Sequence, residues 1–148
     1  MKLIAISIFF ILSAANSIFG QNITISGKVI CEDFTPFPGV QICNSNRTIV
    51  GQTDIMGSFS IELPSSTNEL IFSSVGAEWE LIKFKDECKK FEIVLLLRPT
   101  YDFISKKKVE RLEKKRLKQL PELHRKAYDK GIFKSEIPCF EYTLYKFN

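Results

Sequence analysis

Between Asn22 and Arg98 the chain is built from short runs in which apolar and polar residues alternate. A period of two puts successive side chains on opposite faces, so each run reads as a strand with one buried face. Ile23, Ile25, Gly27 and Val29 alternate with Thr24, Ser26 and Lys28. Pro36-Phe37-Pro38-Gly39 breaks that run, and Val40 and Ile42 restart it. Thr48 to Thr53, Phe59 with Ile61, Leu70 to Val75, Leu81 to Phe84 and Phe91 to Leu97 bring the expected strands to seven. Asp54-Ile55-Met56-Gly57 carries the chemistry of a tight hairpin: Asp54 can accept from turn amides, and Gly57 can adopt φ > 0 without a Cβ clash. Seven short strands punctuated by turns predict a mainly β fold, a sandwich whose two sheets bury facing apolar rows.

Arg98-Pro99 marks a boundary, because Pro cannot continue a sheet ladder and biases its predecessor toward extended backbone. Charge changes there too. Residues 22–98 hold 7 basic and 10 acidic side chains, a net of −3, and residues 99–148 hold 13 and 7, a net of +6; Lys2 supplies the rest of the total of +4. The expected organisation is a leader over 1–20, a β-sandwich over 22–98 and a basic helical extension with a terminal strand over 99–148. From Tyr101 to Leu120 the helical period places Tyr101, Val109, Leu112 and Leu120 on one side, with Lys107, Arg111, Lys114 and Lys118 on the other. Pro121 stops this helix and opens a second, which Gly131 ends after Lys130. Phe140, Tyr142 and Leu144 alternate with polar neighbours, a strand suited to a sheet edge.

Lys2 followed by the uncharged, Ile-, Leu- and Phe-rich run Leu3–Ala15 reads as an export signal, too short to span a bilayer, with cleavage placed after Gly20. The mature chain is therefore expected in the periplasm, at the outer membrane, or beyond. Four cysteines, Cys31, Cys43, Cys88 and Cys139, permit three disulfide pairings in such a compartment. Their spacings of 12, 45 and 51 contain no C-x-x-C, and a single His is too few for the usual structural zinc patterns, so no metal or other cofactor is expected.

Catalytic vocabulary is thin. His124 is the sole imidazole, and no nucleophile motif surrounds it, so it is expected to face solvent on its helix. The basic face formed by Lys106-Lys107-Lys108, Arg111, Lys114-Lys115-Arg116 and Lys118 suits an anionic membrane surface, at about 1 kcal/mol per residue, or an acidic protein. Its plainest reading is a solvated helix face. Export and the interleaved Glu110 and Glu113 argue against nucleic acid. Ile55 and Met56 sit at a turn where polar residues are usual, so either the C-terminal helix or a partner should cover them. Cover from the helix is favoured, since Val109, Leu112 and Leu120 need an apolar surface.

Four segments in order carry a family pattern: Gly27-Lys-Val29, Pro36-Phe-Pro38-Gly39-Val40-Gln-Ile42, Thr53-Asp54-Ile-Met-Gly57-Ser-Phe59-Ser-Ile61 and Leu70-Ile-Phe72-Ser73-Ser-Val75-Gly76. Together they resemble the carboxypeptidase regulatory-like domain, a seven-stranded transthyretin-like β-sandwich also found ahead of the plug of TonB-dependent outer-membrane receptors. The likeness covers residues 22–98. It departs at Cys31, where an acidic residue is usual and Asp33 is the available substitute, and at Ala77, where an aromatic is usual and Trp79 is the available replacement. The resemblance implies an accessory role without catalysis. A zinc carboxypeptidase needs more than one His, and the related transthyretin-like hydrolase uses several, whereas residues 22–98 contain none. The reading is thus an exported, non-catalytic module that docks on an envelope protein or cell-surface component, an outer-membrane receptor among the candidates. Its loops, edge strands and basic helix would make the contact. The alternatives are a small envelope enzyme using His124 and a purely structural domain of a larger assembly.

Overall fold

The computed structural model describes residues 20–85 and 87–145. The expected leader lies outside them apart from Gly20. Among the described residues there are eight strands and two helices: β1 (Asn22–Cys31), β2 (Gln41–Cys43), β3 (Ile49–Gln52), β4 (Ser58–Pro64), β5 (Glu69–Ser73), β6 (Glu80–Phe84), β7 (Lys90–Leu95), α1 (Lys106–Leu117), α2 (Leu120–Asp129) and β8 (Phe140–Leu144). All seven strands expected before Pro99 are present. They form a three-stranded sheet in the order β4-β1-β7 and, with β8, a five-stranded sheet in the order β3-β2-β5-β6-β8.

The two sheets share one core. Ile25 and Val29 of β1, Phe59 and Ile61 of β4, and Phe91, Ile93 and Leu95 of β7 meet Ile42, Leu70, Phe72, Ile82 and Phe84 of the larger sheet. In β1, β4 and β6 these are alternate residues, which is why the period of two was readable. β1 runs parallel to β7 and antiparallel to β4. A side chain at Gly27 would run into the Phe91 carbonyl group of β7, so glycine there allows the two backbones to approach.

The turn at Asp54–Gly57 differs from the expected hairpin in one respect. β3 belongs to the larger sheet and β4 to the smaller, so the turn is a corner that carries the chain from one layer to the other. Its chemistry is as read. Asp54 Oδ1 accepts from the amides of Met56 and Ser58, both at 2.8 Å, and Gly57 has φ +72°.

The segment after Pro99 is woven into the same layers. β8 pairs antiparallel with β6, placing Tyr142 opposite Ile82 and Phe140 opposite Phe84. Phe140 stacks on Phe91 at 5.5 Å, and Phe91 meets Phe84 edge-on at 4.9 Å, so rings from β6, β7 and β8 join both sheets. A Cys88–Cys139 disulfide fastens the entry to β8 beside the entry to β7, and Cys31 and Cys43 are free and buried. Leu120, Ala127 and Phe133 cover Ile30, Val94 and Leu96, forming a second apolar cluster that includes α2.

The first helix is shorter than its pattern suggested, starting at Lys106 with Ser105 as its N-cap and stopping at Leu117. Pro121 occupies the first turn of α2, where its missing amide proton costs nothing.

Candidate interaction surface

Three surfaces and one buried seam hold the chemistry. The first surface is the outer face of α1. At about 100° per residue, Lys107, Lys108, Arg111, Lys114, Lys115 and Lys118 fall within a sector of about 120°, and all six are exposed. Lys107, Arg111, Lys114 and Lys118 therefore stand where the periodicity placed them. Val109, Leu112 and Leu117 are half-buried on the other side. Arg116 departs from the expected basic face. Its guanidinium points inward, donating to both carboxylate oxygens of Glu32 at 3.0 and 3.1 Å, to Glu78 at 3.4 Å and to the Leu97 carbonyl at 2.8 Å. A planar fork with several donors suits this fourfold contact, which ties α1 to the ends of β1 and β7.

The second surface is the corner between β3 and β4. Ile55 is 82% exposed and Met56 56% exposed, so the expected cover from the C-terminal helix is absent. The physical reason is that the apolar demand of the C-terminal segment is met elsewhere, on Ile30 and Val94 of the smaller sheet and on Leu96 just after β7. The corner itself is firmly held. The Val29 amide donates to the Gly57 carbonyl at 2.7 Å, and a Cβ at Gly57 would strike the Val29 carbonyl oxygen. Beside it, the Pro38-Gly39 turn is pinned by Thr53, to which the sequence reading assigned no such role. The buried Thr53 hydroxyl accepts from the Val40 amide at 2.9 Å and donates to the Phe37 carbonyl at 2.7 Å, while the Gly39 amide donates to the Thr53 carbonyl at 3.1 Å.

The third surface lies at the same end. Gln41 of β2 pairs with Gln52 on one side and Ser73 on the other, so the corner and the β5–β6 loop leave the larger sheet together. Val75, fully exposed, projects from that loop beside an open depression of about 360 Å³ that also involves Gln41, Trp79 and Arg98. Asp33 supplies the turn bonds that Cys31 cannot, its carboxylate accepting from the amide and the hydroxyl of Thr35 at 3.0 and 2.6 Å. These bonds hold its acid below the usual range. Ala77 is buried, and Trp79 packs near Tyr145 with ring centres 6.0 Å apart.

The seam between the C-terminal segment and the sheets contains polar groups that periodicity did not mark. Glu80 is fully buried; its Oε1 accepts from the Leu96 amide at 3.4 Å, and its Oε2 has no partner. Burial pushes this carboxyl well above the usual carboxylate range, against the pull of the Leu96 amide. Glu78 is raised in the same direction by burial and by Glu113, with Arg116 and Arg98 opposing. Tyr142 reaches across from β8 to accept the Val94 amide of β7 at 3.0 Å, linking the edges of the two sheets, and burial together with Glu80 raises its phenol.

His124 corrects the expectation of a solvent-facing residue. It is fully buried, packs on Phe133 with ring centres 4.8 Å apart, and its Nε2 lies 2.9 Å from the Ser135 carbonyl oxygen. Burial holds its pKa below the ordinary imidazole value. That bond fixes the Nε2–H tautomer and leaves Nδ1, an acceptor, without a partner. Next to it the Glu92 carboxylate of β7 accepts the amides of Lys134 and Ser135 at 2.6 and 2.9 Å. The arrangement clamps the turn after α2 onto the smaller sheet, and helix amphipathicity alone could have flagged it, since His124 stands one turn from Leu120 and three residues from Ala127.

Among the described residues no three His, Cys, Asp or Glu side chains converge as metal ligands, and the acids Glu32 and Glu78 are bridged by Arg116. No helix among the described residues is long and apolar enough to cross a membrane. Comparison with protein-family models, with curated proteins and with solved structures finds no match.

Proposed function

We propose that the chain is an exported, non-catalytic binding module on a transthyretin-like β-sandwich, akin to the carboxypeptidase regulatory-like domain, which docks on a protein or envelope component in the periplasm or at the outer membrane. The observation that carries this reading is the β3–β4 corner. Apolar side chains at Ile55 and Met56 are held out into solvent by a turn in which Asp54 Oδ1 accepts two amides and both backbone polar groups of Gly57 are hydrogen-bonded. A preorganised apolar tip loses little conformational freedom on docking, which favours its use as a contact. Val75 on the neighbouring loop extends the same apolar end. The one imidazole of the chain is committed to packing and to the Ser135 carbonyl, which supports docking over turnover.

The test is a photo-activated cross-linking residue at Ile55 in cells that make the protein. A discrete adduct that disappears in the Met56→Ser variant is expected. No adduct at Ile55, Met56 or Val75 would overturn the reading of this end as the docking surface.

A further inference from the structure

We propose that α1 and the connection before it form a surface for an anionic phospholipid bilayer, with Phe103 as the side chain that enters the lipid. The inference deepens the docking reading above and rests on its placement of the chain in the cell envelope. It begins from Phe103, which no periodicity singled out. Its ring is wholly exposed, and its backbone sits at φ +59°, a left-handed conformation that costs a bulky residue energy. An aromatic ring held in water on a strained backbone has no packing role inside the chain.

What stands next to it supplies the rest. Phe103 is two residues ahead of the N-cap Ser105 and so within about 7 Å of the start of α1. Lys106, Lys107 and Lys108 follow at once, and Arg111, Lys114, Lys115 and Lys118 continue the exposed face. Of the two interleaved acids, Glu113 is half-buried and off this face, and exposed Glu110 borders it beside Lys107, Arg111 and Lys114, where it is outnumbered by the cations. Arg116, the one arginine pointing inward, anchors the helix through Glu32, Glu78 and the Leu97 carbonyl, so the basic face is carried on a fixed element.

A bilayer is favoured over an acidic protein or a nucleic acid by the pairing of the two features. Basic side chains alone would serve any polyanion, but an exposed phenylalanine gains only where an apolar layer lies just beneath the charge, as it does under phospholipid headgroups. The ring would enter at the headgroup–acyl boundary while the lysine ammonium groups stay at the surface, their stems lying along it.

The experiment is co-sedimentation of the mature chain, residues 21–148, with vesicles of phosphatidylcholine alone and of phosphatidylcholine with phosphatidylglycerol. Binding to the anionic vesicles and its loss at high salt are expected. Lys107→Ser, Arg111→Ser and Lys114→Ser together should weaken it by about 100-fold. Phe103→Ser should weaken it by about 10-fold and leave its salt dependence unchanged. All variants share every other residue, and an unchanged circular dichroism spectrum confirms that they fold. Equal binding to the two vesicle types, or full binding by either variant, would overturn the proposal. So would equally tight binding to duplex DNA or to polyglutamate that Phe103→Ser leaves untouched. A cross-linked partner at Ile55 without vesicle binding would sink this inference alone and leave the docking module standing.

Discussion

The β3–β4 corner and the C-terminal seam solve the same problem in opposite ways. At the corner, polar atoms are satisfied within a few residues, with Asp54 serving Met56 and Ser58, while the apolar side chains Ile55 and Met56 face water. In the seam the apolar groups are hidden and polar ones go in with them: Glu80, His124 and Arg116 are buried or nearly so, and their partners come from distant parts of the chain. The corner is stiff because of local geometry. The seam is stiff because it is crossed by a disulfide, a ring stack and long-range hydrogen bonds. Buried side-chain polar atoms without a partner occur only in the seam among the described residues, at Glu80 Oε2 and His124 Nδ1. Stability there is more exposed to solution conditions, and display at the corner is not.

The contrast can be broken most severely at its covalent link. Replacing Cys88 and Cys139 by Ala opens a loop with a sequence separation of 51, and the chain-entropy view puts the loss at about 4 kcal/mol; urea denaturation with and without reductant measures it. Gly57→Val should come next, at about 3 kcal/mol, from a left-handed residue with a Cβ that also strikes the Val29 carbonyl and forces repacking. A variant as stable as the parent would show that the corner is softer than its bonds indicate. Arg116→Met leaves Glu32 and Glu78 facing each other without their shared cation, at a cost of about 2 kcal/mol given their partial exposure. Amide hydrogen exchange should then rise in α1 before it rises in the sheets.

Glu80→Gln should act in the other direction. The folded state holds this carboxyl protonated above its ordinary range, so the wild type keeps its full stability below the unfolded carboxylate value of about 4.5 and loses it as pH climbs toward the folded one. Thermal melts should coincide at pH 4 and favour the Gln variant at pH 8 by about 1 kcal/mol, with a flatter profile. The smallest effect is expected at the corner's tip, where Ile55→Ser with Met56→Ser should change stability by less than about 0.5 kcal/mol, because neither side chain is packed. A larger loss in the melt would mean that these residues hold the fold together.

Much of this contrast was legible before any coordinates. Asp54 and Gly57 announced a turn, since their hydrogen bonds and backbone angles are decided by immediate neighbours. Lys107, Arg111, Lys114 and Lys118 share a face because helical geometry makes them do so. Arg116 has the same charge and lies on the same helix, yet it turns inward, and nothing within a turn of it says so; its acids are 84 and 38 residues away. His124 misled for a related reason. A lone imidazole among charged neighbours reads as exposed, and only the chain returning through Phe133 and Ser135 encloses it.

Local rules therefore determined the strands, the breaks between them, the corner and the basic stripe, because periodicity and turn chemistry act over a handful of residues. Tertiary structure decided that β3 and β4 part into different layers, that β8 closes the larger sheet, that Ile55 and Met56 stay uncovered, and which polar groups are buried. Those outcomes depend on which apolar surfaces pack against one another across the whole chain. Ile30, Val94 and Leu96 took Leu120, one of the side chains expected to cover the corner.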